Sequence, residues 1–435
     1  NSMSLPFDLA SVERIEVIKG PSARSFGQNA YAGVVNIITK ASDEENVLVS
    51  GSGGDFGTYA LGLGANFGSK KISNFIQVNT ASSEGYRYNI DYKISNIYYQ
   101  NEIALQNGKL KFQAGIQEKK FGANGFYASP SAIDQYEETQ ASIVSLGLNQ
   151  NFNTIKLNSN IYWRRGQDMY EYIRNKPEIY RNMHIGNNIG AELNGTYHSG
   201  LGITGLGVEL RKEFLASNNL GHRERFITQV FMEHHFSFIQ NKLNISPGIS
   251  WANYAEEGNF FYPGLDVGFD LTENHKFYGN IAKVNRIPTF TDLYYVSKTE
   301  AGNPGLKPEH AVAAELGYRY QINNFVGKVS GFLRNSDNSI DWVKQNVNDI
   351  WRAENIGEID TKGIEVELSQ HFESFVKSYS VGYTFLESKN SQPQNLMSRY
   401  VMENLKHQFV AKLENRFFKN LTNNLIYRYN IRVTT

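Results

Sequence analysis

The residues best suited to chemistry are tyrosines and arginines gathered in polar stretches. They are Tyr127 and Tyr136, then Arg164, Arg165, Tyr170, Tyr172 and Arg174, then Tyr254 and Tyr262, then Tyr294 and Tyr295. Together they offer ring area, hydroxyls and planar cationic forks at modest entropic cost, which suits non-covalent capture of a large polar ligand. A single tyrosine fits equally well into the aromatic belt of a membrane interface. Arg174 with Tyr170 and Tyr172 on one stretch fits the ligand reading better. Asp134, Glu137 and Glu138 could hold a loop calcium or form a solvated acidic loop. His234 and His235 are adjacent, so in a strand they point to opposite faces and cannot share a metal. Nothing else has metal-ligand spacing, and no Ser/His/Asp set or paired carboxylates stand out. Neither an enzyme nor a resident cofactor is expected. Gly51–Gly57 (GSGGDFG) lacks the Lys-Ser/Thr and helix of a phosphate loop and reads as a hairpin turn.

The elements that must position these residues are strands. From Val47 onward the chain runs in apolar–polar alternation, as in KISNFIQVNTAS, TIKLNSNIYW and KGIEVELSQHF. A period of two means strands with unlike faces, about nineteen of them, many near the ~9–11 residues that cross a bilayer when tilted. Their connections alternate. Short polar turns, such as Asn107-Gly108, Gln240–Lys242 and Ile322–Asn324, separate longer loops at Ser82–Lys93, Phe121–Glu138, Arg164–Asn182, Tyr254–Phe260, Arg286–Pro308 and Asn335–Asn355. Segregated short turns and long loops are the pattern of a transmembrane meander barrel, which a soluble sandwich has no reason to adopt. Parity agrees. Leu316, Tyr318, Ile364 and Val366 share faces opposite Glu315 and Glu365, so grease points out and charge points in.

Composition bounds the same reading. The chain has 435 residues, equal numbers of basic and acidic groups (43 each), no cysteine, 26 tyrosines and 27 phenylalanines. Neutrality gives no reason to expect nucleic acid or a basic membrane-surface anchor. No apolar run is long enough for a transmembrane helix, and no signal-peptide pattern is visible. A mean hydropathy of −0.44 still suits a wide barrel, whose strands are apolar on one face only.

The stretch Val12–Lys40, VERIEVIKGPSARSFGQNAYAGVVNIITK, resembles the end of the plug domain of TonB-dependent outer-membrane transporters. Arg286-Ile287-Pro288…Asp292-Leu293-Tyr294 and Asn303-Pro304-Gly305-Leu306-Lys307-Pro308-Glu309 are similar to that family's paired boxes around one extracellular loop, where they brace the rim. The resemblance implies an all-β antiparallel barrel of about 22 strands around an α+β plug. Residues 1–45 would be the C-terminal part of the plug and 46–435 an incomplete barrel. On that expectation most of the plug precedes Asn1 and about three strands follow Thr435. It also implies a siderophore- or cobalamin-like ligand, an inner-membrane TonB-type partner that pulls on the plug, and residence in the outer membrane of a Gram-negative bacterium. Haem-importing members carry a histidine between the two boxes, and Ile287–Gly302 has none. The family commonly locks plug to barrel with basic plug residues against barrel glutamates, which would pair Arg14 and Lys19 with Glu315 and Glu365. Solvated charges on a lumen wall are the other reading of these positions. Lys19 stands where the family usually has arginine, and it lacks the bidentate fork. A passive porin or a β-rich surface adhesin remain the rival functions.

Overall fold

The computed structural model describes residues 5–7, 11–19, 33–40, 45–127, 129–390, 396–400, 405–418 and 420–433. The Gly20-Pro21 turn, Phe26-Gly27, positions 41–44 of the linker and the side chain of Lys19 lie outside the described residues.

Nineteen strands, from Asn46–Gly54 to Leu421–Arg432, form one closed barrel in which successive strands pair antiparallel. The first strand pairs with Thr58–Gly68 and the last with Leu405–Phe418. Both the first and the last strand are exposed at every position. The alternation read in the sequence is the wall itself: Leu316 is 71% exposed and Ile364 50%, while Glu315 and Glu365 lie half-buried on the other face. This is the inverse of a soluble core and matches lipid outside with a polar lumen.

The short connections close as tight hairpins. Asn153 (φ 42) and Asn323 (φ 47) supply the left-handed residue such turns need. In the Gly51–Gly57 stretch, Phe56 (φ 59) and Gly57 (φ 61) occupy the centre of a turn closed by the Thr58 amide donating to Asp55, so it is a hairpin turn and no phosphate loop.

At the long-loop end, where the Asp55–Thr58 turn also lies against Glu84, the strands run further than the sequence suggests. Arg181–Ser199 has 19 residues and Gly221–Phe238 has 18, well past the ~9–11 that a bilayer requires. Above the membrane both faces turn polar, which reads as loop although the backbone ladder continues. The stretch expected as a loop at Arg164–Asn182 therefore shrinks to 172–180, between strands Ile155–Glu171 and Arg181–Ser199.

Two smaller units sit at the lumen. Val12–Lys19 and Gly33–Thr39 pair as an antiparallel sheet, with Ile15 opposite Ile37 and Lys19 opposite Gly33. Above the wall, Glu300–Ala301, Trp351–Asn355, Ile340–Lys344 and Met397–Ser398 form a four-stranded sheet that ties loop to loop. The largest buried cluster lies on the inner wall, where Ile227, Ala252, Tyr254, Phe260, Tyr262, Val284 and Ala311 pack with Ile287 from the adjoining loop.

Candidate ligand-binding vestibule

The loop that carries Tyr294 and Tyr295 is fastened at its base. The Arg286 guanidinium donates to both carboxylate oxygens of Glu309, at 2.9 and 2.5 Å. Glu309 also accepts from the Ile340 amide at 2.5 Å. Thr289 and Asp292 cap the one-turn helix Phe290–Tyr294 reciprocally, and the Trp342 indole donates to Asp292 at 3.2 Å. Leu293, Leu306, Ile340, Trp342 and Ala353 pack beneath. The arginine of the first sequence box thus grips the glutamate of the second.

Above this base runs a line of rings. Tyr127 meets Tyr170 edge-on at 5.5 Å, and Tyr170 meets Tyr180 at 6.4 Å. The Tyr180 and Tyr295 hydroxyls lie 3.2 Å apart, and the Asn182 amide donates to both. Tyr295 then meets Trp342 at 6.5 Å. Gln135 donates to the Tyr170 hydroxyl at 2.7 Å, and Tyr127 donates to Glu137. Arg223 lies 3.6 Å over the Tyr294 ring, and Arg225 lies 4.8 Å over Phe290. The sequence candidates Tyr127, Tyr170, Tyr294 and Tyr295 are therefore brought to one mouth and held half-buried.

Other candidates go elsewhere. Arg174 forks onto Asp91 at 2.6 and 2.9 Å and stacks over Tyr136 at 4.4 Å. It clips one loop to the next, and its hydrogen bonds hold the Asp91 carboxyl below the usual carboxylate range. Tyr172 is 39% exposed, with its amide tied to the Tyr180 carbonyl. Arg164 and Arg165 are strand residues, not loop residues, and point to opposite faces. Arg165 shares the outer face with Ile161 and Trp163, which removes it from the lumen. Tyr262 is 1% exposed within the inner-wall cluster, so it packs the barrel and is closed to ligand. The acidic group disperses as well. Asp134 accepts from the Tyr88 hydroxyl, Glu137 is buried, and Glu138, on the other face, pairs with Lys120 at 3.4 Å. Among the described residues no set of three His, Cys, Asp or Glu is grouped to hold a metal.

Of the expected charge pairs, those of Lys19 lie outside the described side chains, and Arg14 pairs elsewhere. Arg14 is held by its own strand neighbours Glu13 (2.7 Å) and Glu16 (2.8 Å) and stays 54% exposed. Side chains one and two positions away reach it without crossing the lumen, so neither Glu315 nor Glu365 is its partner. Among the described residues the Val12–Thr39 sheet meets the wall mostly through uncharged polar groups, with one lysine beside them. Thr39 donates to Gln100 at 2.6 Å, Gln113 and Lys111 each reach the Thr39 hydroxyl at 3.2 Å, and Gln100 donates to the Lys40 carbonyl. Phe7 packs on Tyr98 at 5.5 Å. Sequence reading missed Thr39, Tyr98, Gln100 and Gln113, as well as Tyr180, Asn182, Arg223 and Trp342. Only the alternation that turns Tyr98 and Gln100 to the same face hinted at the first group.

The model of the TonB dependent receptor-like beta-barrel family matches residues 117–430. The chain belongs to this family. The receptor is 24% identical to a vitamin B12 transporter of Vibrio vulnificus over 94% of this chain and 67% of the relative. It is 24% identical to a ferric enterobactin receptor of Pseudomonas aeruginosa over 91% of this chain and 66% of the relative. It thus spans about two thirds of the length of these relatives. A crystal structure of a ferric enterobactin receptor variant from Pseudomonas aeruginosa superposes with a TM-score of 0.78 at 18% identity, over 97% of this chain and 72% of that one. The likeness establishes a receptor barrel, and with its greasy outer wall the receptor is an outer-membrane protein.

Proposed function

We propose that the receptor takes part in active, TonB-dependent import of a large scarce nutrient, a ferric siderophore or a cobalamin-like ligand. The observation that carries this is the aromatic line Tyr127–Tyr170–Tyr180–Tyr295–Trp342, which joins separate loops over a lumen that also holds the Val12–Thr39 sheet. A sieve for small solutes needs no such surface, whereas a large amphipathic ligand gains area and hydrogen bonds from it. Similarity to a vitamin B12 transporter and to a ferric enterobactin receptor supports both ligand classes. In this reading residues 1–45 belong to the plug and 46–435 to the barrel, and an energised inner-membrane partner moves the plug.

The test is uptake of labelled cobalamin and of labelled ferric siderophores by cells whose only receptor is the full-length protein. Saturable uptake of one ligand that stops when the TonB-type partner is deleted is the expected result, and Tyr170→Ala should weaken it about tenfold. Uptake that continues without the energy source, with steady large conductance in planar bilayers, would make it a porin instead.

A further inference from the structure

A hollow of about 230 Å³ opens on the inner wall, across the strands Gly108–Gly122, Tyr136–Phe152, Ile155–Glu171 and Arg181–Ser199. Its face is settled by its neighbours. Lys111 and Gln113 on its edge each reach the Thr39 hydroxyl of the inner sheet at 3.2 Å, while Val144, Leu146 and Leu193 are exposed on the lipid side. Lys111, Asn149 and Asn158 each stand three positions from the short-turn end of their strands, which puts the hollow at the periplasmic end of the lumen. Its cause is a missing side chain. Gly147 lies between Lys111 and Asn160 in the ladder, and a Cβ there would meet nothing closer than 3.7 Å.

What lines this hollow is amide. Asn149, Asn158 and Asn194 stand side by side across three strands, and Asn160 beside Glu192 forms the row above. Among the described residues none of these five side chains has a hydrogen-bonding partner, although all but Asn158 are half-buried. Charge is sparse. Lys111 is taken by Glu102 and Thr39. Glu209, opposite Glu192, is taken by Arg211 and Tyr162. Glu192 therefore keeps an uncommitted carboxylate.

Such a wall has a chemical preference. A primary amide donates and accepts at once, so it pairs well with another amide. One bare carboxylate beside the row repels a polyanion such as a ferric tris-catecholate and leaves a neutral ligand unaffected. The volume falls short of the ~300–1,000 Å³ that encloses a drug-sized ligand, so it receives a side arm and not a whole large molecule.

We infer that this hollow is a transit site for a neutral ligand of the corrinoid class, fringed with primary amides. The ligand rests a side arm on the asparagine row as it leaves the lumen past the Val12–Thr39 sheet. This rests on the import reading above, and adds to it a second station and a choice of ligand.

The experiment is equilibrium binding of cobalamin to the full-length protein in detergent, where both ends of the lumen meet solvent, with a ferric tris-catecholate as competitor. Variants are Gly147→Leu, which fills the hollow, and the pair Asn158→Leu with Asn194→Leu, which removes amides at similar volume. Heat-modifiable gel mobility checks that each has folded. Expected are two classes of site, a tight one that Tyr170→Ala weakens and a weaker one that it leaves alone. Gly147→Leu should abolish the weaker class, and the asparagine pair should lower its affinity about tenfold, the equivalent of one hydrogen bond. Both should spare the tight class. The ferric tris-catecholate should not compete for the weaker class, and Glu192→Lys should admit it. A single class of site in the parent protein, a weaker class that survives in folded Gly147→Leu, or equal occupancy by the ferric tris-catecholate would overturn the assignment. Cobalamin that fills both classes in a receptor whose uptake needs no energy source would keep this site and remove the active-import reading.

Discussion

Glu309 shows how much one side chain can hold at the rim. Its carboxylate is 7% exposed and takes both the Arg286 fork and the Ile340 amide, while Arg286 is 32% exposed. Glu309→Ala takes the carboxylate from the Arg286 fork, which keeps Asp292 at 3.7 Å, and takes the acceptor from the Ile340 amide, a loss of about 3 kcal/mol in local stability. Protease nicking of the 287–308 loop on intact cells should rise about a hundredfold while the barrel stays heat-modifiable. An unchanged nicking rate would show that the packing of Leu293 and Trp342 holds the loop without the ion pair. Asp91 gives a pH signature. Hydrogen bonds from Arg174 lower its folded pKa, so the stabilisation is complete above the unfolded value near ~3.9 and fades as pH falls through the lower folded value. Nicking in 172–180 should therefore stay flat from neutral pH to about 4 and rise only below that. Asp91→Asn should be loose already at neutral pH, with no acid step. An acid step that persists in Asp91→Asn would assign it to another group.

Among the elements, the strands carry the membrane argument. Along Glu309–Ile322 the outward residues are Val312, Leu316 and Tyr318, and the inward ones include Glu315 and Arg319. Leu316→Arg puts a charge on the lipid side and should destabilise the folded barrel by about 2–4 kcal/mol. Glu315→Gln, one position away on the lumen side, should change it by less than about 0.5 kcal/mol. Urea unfolding of the refolded protein in micelles, read by tryptophan fluorescence, separates the two. Equal losses would mean that the wall is not immersed as described. This alternation was legible from the residues alone, because a period of two leaves little freedom about which side chains share a face. Strand ends were not legible. Above the bilayer both faces are polar, so Arg164 and Arg165 looked like loop residues while the ladder to Arg181–Ser199 ran on through them.

At the scale of the whole molecule, the meeting of the Val12–Thr39 sheet with the wall decides how firmly the lumen is filled. Among the described residues, Thr39, Gln100, Gln113 and the Tyr98 hydroxyl share hydrogen bonds at this seam, with Lys111 and Glu102 at its edge. Gln113→Ala should raise amide exchange in Gly33–Thr39 about tenfold, the equivalent of one lost buried hydrogen bond. Exchange that stays at the parent rate would show that the hairpin is held elsewhere. Sequence by itself determined the architecture of this protein. Alternating runs, segregated turns and the Arg286–Glu309 boxes are local patterns, and each is constrained by pleat geometry or by a motif within some two dozen residues. Only the tertiary structure decided which tyrosines stand half-buried at the mouth and which fill the wall, and that Arg14 serves its own strand while Thr39 meets the barrel. Those outcomes depend on which distant strands the closed sheet sets side by side, and Tyr262 and Tyr295 look alike until burial distinguishes them.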